Sequence, residues 1–205
     1  MKEGFNKNYP KILFVIFLII WVFLAISPSY RGIWVAENIL TILFVSLLVL
    51  TYRKFKFSNL SYTLFFILLI LHTVGSHYSY TEMPLFNLIR DSLDLTRNHY
   101  DRLIHFLFGI LFFIPTYEFI SRKLRVKGFW GLFLAFFVVT SLKGIYEVLE
   151  YAYILVTKSE TIGTYFLGMQ GDQWDAQKDL FFGVIGSAFT WIGISIKEFL
   201  KKRKF

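Results

Sequence analysis

Asn98-His99-Tyr100-Asp101-Arg102-Leu103-Ile104-His105-Phe106 opens an apolar run that continues to about Phe119. At 3.6 residues per turn, Asp101 and His105 fall on one helix face. They stand at the mouth of a segment that reads as a membrane span. Ionisable groups at such a depth are costly, so they have partners and point to function.

Composition agrees with a bilayer setting. Of 205 residues 56% are hydrophobic and 20% aromatic, with 25 Phe, 12 Tyr and 5 Trp, whereas only 18% are charged. Soluble domains carry about 25% charged residues, and one of this size could not bury so much apolar surface. The expected class is therefore an all-α integral membrane protein, one domain over residues 1–205.

The net charge of +8 does not indicate nucleic acid, because the basic residues cluster between apolar runs. Membrane lipids are the expected partners, with anionic headgroups as counter-charge. Composition says nothing about oligomeric state. The absence of Cys excludes disulfides, thiolate metal sites and cysteine nucleophiles.

Six apolar segments follow in order: Ile12–Ser27, Ile33–Leu50, Leu60–Val74, Leu103–Phe119, Phe129–Leu155 and Leu180–Ile196. With flanks they give expected spans at residues 11–28, 33–52, 59–76, 101–120, 129–156 and 178–197, close to the ~17–25 residues that cross a bilayer. The first run, after Lys2, Lys7 and Lys11 and with Ala25-Ile26-Ser27 at its end, has signal-peptide features. Its length and the spans behind it favour a retained helix.

Orientation follows from the basic residues. Lys2, Lys7 and Lys11, then Arg53, Lys54 and Lys56, then Arg122, Lys123, Arg125 and Lys127, then Lys197, Lys201, Lys202, Arg203 and Lys204 lie on one side, fifteen of 22 in all. The positive-inside rule makes that side, and both termini, cytoplasmic. Between spans three and four, Pro84 to Leu95 has helical apolar spacing with a polar face and reads as an interfacial helix. The connection from Thr157 to Gln177, with Gly163, Gly168 and Gly171, reads as loop.

In that orientation the ionisable groups sort by depth. Glu37, His72, His77, Asp101, His105, Lys143, Glu147, Glu150, Asp172, Asp175 and Asp179 all fall in the extracytoplasmic half, and Glu118 alone among the main acids does not. A shared polar cavity explains this. Its candidate catalytic groups are Asp101, His105, Glu147, Glu150, Asp175 and Asp179. The candidate substrate contacts are His77, Glu82, Arg102, Lys143, Asp172 and Gln173.

The pairs Asp101/His105, Lys143/Glu147 and Asp175/Asp179 are each four apart, so both members of each face one axis. A divalent metal ion (Zn, Mn, Mg or Fe) suits a histidine–carboxylate set, with His72, His77, Asp101, His105, Glu147 and Asp175 as candidate ligands. Acid–base work needs the same groups. The bland readings are a structural Lys143–Glu147 ion pair, Asp101 as a helix cap, and Trp34, Tyr62, Tyr80, Trp130 and Trp174 as an interfacial belt.

The stretches Gly75-Ser76-His77-Tyr78-Ser79-Tyr80-Thr81-Glu82-Met83-Pro84, Arg97 to Phe106, Tyr146-Glu147-Val148-Leu149-Glu150 and Gln170 to Asp179 together resemble the YjdF-like family of bacterial inner-membrane proteins. That resemblance implies a multi-span inner-membrane protein and supplies no reaction. His99 departs from the family, where a proline is expected. A looser similarity, carried by Asp101/His105-Phe106, Glu147 and Asp175/Asp179, extends to VanZ-like proteins associated with glycopeptide resistance. It implies architecture and site position. Three functions are then open: a metal-assisted hydrolase or transferase on a lipid or lipid-linked envelope precursor, a small-molecule or ion transporter, and a non-catalytic assembly protein.

Overall fold

A computed structural model describes residues 8–157 and 169–202. Among them are seven helices and no strand: α1 (Tyr9–Leu24), α2 (Arg31–Thr51), α3 (Asn59–His77), α4 (Pro84–Ser92), α5 (Tyr100–Lys123), α6 (Gly128–Thr157) and α7 (Asp175–Lys202). The all-helical class is as expected. In hydrocarbon, a helix is the only open-ended element that satisfies its own backbone.

α2, α3, α5, α6 and α7 are long and apolar enough to cross a membrane. α1 has 16 residues, about 24 Å at 1.5 Å per residue, somewhat less than a hydrocarbon core. It lies three residues earlier than expected. Pro10 sits in its first turn, and Ser27 at φ 51° lies in the turn that follows. α4 confirms a helix between the third and fifth, shorter than Pro84 to Leu95. Of the connection after α6, Gly163 and Gly168 lie outside the described residues, and 169–174 is loop with Gly171 at φ 87°.

α5 is the axis of the bundle and packs against α3, α6 and α7, while α1 and α2 lean on α3. Its closest partner is α7. A Cβ on Gly109 would strike the Gly183 carbonyl and lie 2.7 Å from Ser187 N, and a Cβ on Gly186 would strike the Phe106 carbonyl. Small residues allow this approach, as membrane helix pairs require. Ser187 Oγ also donates to the Gly183 carbonyl at 3.0 Å.

Outward-facing apolar residues stay uncovered, Leu50 at 77% and Phe23 at 70%. In a soluble protein such patches would be liabilities; here they face lipid. Trp130 and Trp174 are exposed, whereas Trp34, Tyr62 and Tyr80 are buried and form no belt. Trp34 packs against Trp21, with ring centroids 5.5 Å apart. Tyr80 is committed to the site described next.

At the far end of α5, Glu118 ties the bundle to the start of α3. It accepts from Ser58 N and Ser58 Oγ at 2.8 Å each and from Ser61 Oγ at 2.5 Å, and pairs with Arg122. Four hydrogen bonds leave this half-buried acid satisfied, a structural role.

Candidate membrane-embedded histidine and carboxylate site

Where α5, α6 and α7 converge, the i,i+4 spacing is realised as contact twice, in Asp101–His105 and Lys143–Glu147, while Asp175 and Asp179 take separate partners. His105 is central and buried. Its Nε2 lies 3.1 Å from Asp101 Oδ1 and 2.8 Å from Lys143 Nζ. Its Nδ1 lies 3.5 Å from Glu147 Oε1 and 3.7 Å from Asp179 Oδ1. Lys143 also contacts Glu147 Oε1 at 2.7 Å and lies 4.3 Å from the centroid of the Tyr146 ring.

Lys143 Nζ and Asp101 Oδ1 meet at Nε2, a donor and an acceptor on one nitrogen, whereas only carboxylates face Nδ1. That nitrogen and Asp179 Oδ1 are both buried, and neither has a hydrogen bond among the described residues. Asp101, His105 and Asp179 each place one ligand-type atom within 4.8 Å of the others'.

One turn nearer the helix starts lies a second layer. Arg97 pairs with Asp175, and Arg102 meets Asp172 Oδ2 at 2.5 Å and Asp175 Oδ1 at 3.7 Å. Lys178 Nζ adds 2.6 Å to Asp172 Oδ2. Lys178, then the Trp174 amide and Arg102, hold the Asp172 carboxyl down to about 2. Beside them, burial first and the Arg102 and Arg97 charges after it keep the His99 pKa below its usual value. Arg102 thus bridges to the loop before α7, and Asp101 turns inward to His105.

A third group comes from α2 and α3. Tyr146 Oη donates to Glu37 Oε2 at 2.6 Å, and His72 Nε2 lies 3.3 Å from the Glu37 carbonyl. Tyr80 Oη is 2.5 Å from His72 Nδ1. Burial raises the Tyr80 pKa, so the phenol stays protonated and donates. Ser79 and Tyr80, at φ 50° and 55°, occupy the left-handed region, and the ring lies flat on Gly75, whose Cβ would come 2.6 Å from it. That turn aims the hydroxyl back at α3.

Of the candidate residues, Asp101, His105, Lys143, Glu147 and Asp179 come together. Asp175, Arg102 and Asp172 form the layer above, and Glu150 is half-buried one turn past Glu147. His72 sits across Tyr146 and Glu37 from His105. His77 lies elsewhere, its Nδ1 2.8 Å from the Leu24 carbonyl. Glu82 and Gln173 are exposed. Glu37, Tyr80, Tyr146 and Arg97 belong to the site without having been among the sequence candidates. Depth alone placed Glu37 in the layer, Tyr146 could have been found at i+3 from Lys143, and Arg97 carried no signal because a loop has no periodicity.

A cavity of about 380 Å³ adjoins these groups, with His72, Tyr80, His105, Lys143 and Tyr146 at its polar end. Comparison with known proteins matches residues 9–198 to a family described as "Predicted membrane protein (DUF2238)". The chain is 32% identical over 188 residues to the "Inner membrane protein YjdF" of Escherichia coli (strain K12), covering 91% of this chain and 89% of that one. No solved structure matches. With its series of apolar helices and a match that runs nearly end to end, the chain is a multi-pass inner-membrane protein and belongs to the DUF2238 membrane protein family.

Proposed function

We propose that this protein is a membrane-embedded hydrolase or transferase acting on a lipid or lipid-linked envelope precursor. Its site opens to the extracytoplasmic side, with both termini cytoplasmic, as the distribution of basic residues requires. The observation that carries the reading is the orphaned pair His105 Nδ1 and Asp179 Oδ1, 3.7 Å apart with Glu147 Oε1 beside them. Buried polar atoms are nearly always satisfied, so such a pair marks the place that a ligand completes.

The donor set fits a divalent cation. One imidazole nitrogen and two or three carboxylates suit Zn, Mn, Mg or Fe, and a cation at Nδ1 would complete the two atoms left without a hydrogen bond. Asp101, His105 and Asp179 would hold it, with Glu147 beside them. When bound, such an ion polarises an ester or phosphoryl oxygen or activates water. His105 exchanges protons at its nitrogens. Lys143 orients the ring through Nε2, and Tyr146 and Glu37 close the wall behind.

A second reading, a non-catalytic assembly protein, is favoured by the Arg97, Arg102, Asp172 and Asp175 layer, whose close ion pairs bind the loops to α7. Elemental analysis of the detergent-purified protein, beside the variant Asp101→Ala, His105→Ala, separates the two. Near-stoichiometric metal that is lost in a still-folded variant supports the catalytic site. A metal-free protein whose variant fails to fold supports assembly.

A further inference from the structure

α2 and α6 meet at the Glu37–Tyr146 hydrogen bond, but α2 otherwise packs on α3. Beyond that latch the two helices leave a groove open to the bilayer. Leu43 and Leu47 form one wall, Leu142 and Ile145 the other, and Phe108 and Phe112 the floor. The wall residues remain exposed, Leu43 at 59% and Ile145 at 54%. From Glu37 to Leu47 the groove runs roughly 15 Å at 1.5 Å per residue.

We infer that this groove and the polar end it leads to form one lipid site, taking a hydrocarbon chain between α2 and α6 and a phosphate-bearing headgroup against Lys143. The inference rests on the same His105/Lys143 site as the proposed function and names its substrate class. Two features support the phosphate. Among the described residues that line the cavity none is an acid, and its polar members, Thr41, His72, Tyr80, His105, Lys143 and Tyr146, are hydrogen-bond donors or can be. The carboxylates stand behind them. Lys143 spends two of its three N–H groups on His105 and Glu147, and a lysine ammonium binds phosphate as a point charge.

The chain is supported by contrast. A second cavity of about 230 Å³ between α1, α2 and α3 is also apolar, yet meets only Lys11 and two tyrosines as polar neighbours. Any acyl chain would suit it. The α2–α6 groove alone of these two ends on a buried polar cluster, so an amphiphile fits it end to end.

The test uses native mass spectrometry of the detergent-purified full chain with hexadecyl phosphate, hexadecanol and inorganic phosphate as probes. Hexadecyl phosphate is expected to be retained about tenfold more tightly than hexadecanol, a difference of ~1.4 kcal/mol, and inorganic phosphate not at all. Leu43→Trp and Ile145→Trp, at lipid-facing positions, are each expected to weaken hexadecyl phosphate about tenfold with the thermal midpoint unchanged. Leu47→Trp, further along, should exclude hexadecyl phosphate while still admitting decyl phosphate.

Equal retention of hexadecanol would overturn headgroup recognition. Equal retention of inorganic phosphate would make this a soluble-anion site, and tryptophan variants without effect would place the chain elsewhere. Retention of hexadecyl phosphate by a protein with neither metal nor turnover would sink the catalytic reading and leave this one standing. Metal with silent tryptophan variants would do the reverse.

Discussion

Gly109 of α5 lies against Gly183 of α7, and each stands one helical turn below a site residue, His105 and Asp179 respectively. The two helices leave the same end of the bundle in register, so their closest approach sets the 3.7 Å between Nδ1 and Oδ1. The site's spacing is decided by two residues that have no side chain.

Gly109→Ala therefore acts on both stability and the site. The new methyl would meet the Gly183 carbonyl and Ser187 N, forcing the helices apart at a cost of about 1–3 kcal/mol. Gly193→Ala, with nothing within 4 Å of the added carbon, is the control and should be neutral or slightly stabilising. Thermal unfolding in micelles compares them, and equal midpoints would refute the packing argument.

Lys143→Met strands Glu147 and removes the donor to His105 Nε2. Breaking one side of a buried ion pair costs roughly 3–5 kcal/mol. The double variant Lys143→Met, Glu147→Gln removes the stranded charge and should recover a good part of that loss. A double variant no more stable than the single one would show that the pair contributes little beyond packing.

Tyr80→Phe deletes the hydroxyl that reaches His72 and leaves a buried acceptor open, a loss of about 1–3 kcal/mol. Gly75→Ala keeps the hydroxyl but pushes the ring off its seat, where the added carbon would lie 2.6 Å from it. The glycine change should be the worse of the two. The reverse order of unfolding midpoints would mean that the turn, at φ 50° and 55°, adapts easily.

Asp172 makes its own contribution to the layer near the helix starts sensitive to acid only at low pH. Its carboxyl is held down to about 2 by Lys178 first and by the Trp174 amide and Arg102 after it. A depressed folded-state value means that its contribution is fully present above the ordinary carboxylate range and disappears as pH falls from about 4 toward 2. The stability difference between wild type and Asp172→Asn should stay constant from pH 7 to 5 and vanish at the acid end. A difference that already closes near pH 6 would assign the effect to another group.

Helical class, the series of spans and the pairing of polar groups on common helix faces were legible because each depends on local order along the chain. Hydrophobic runs close to bilayer length dictate helices, and i,i+4 spacing alone puts Asp101 with His105, Lys143 with Glu147 and Asp175 with Asp179 on common faces. Tertiary structure decided which faces meet. Glu37 joined the site through Tyr146, and Arg97 came from a loop without periodicity. His77 was drawn off to the Leu24 carbonyl, while Tyr80 was folded in from an expected belt. These pairings depend on helix rotation and on the glycine contacts that let α5 and α7 approach, and both are set by packing between helices rather than by order along any one of them.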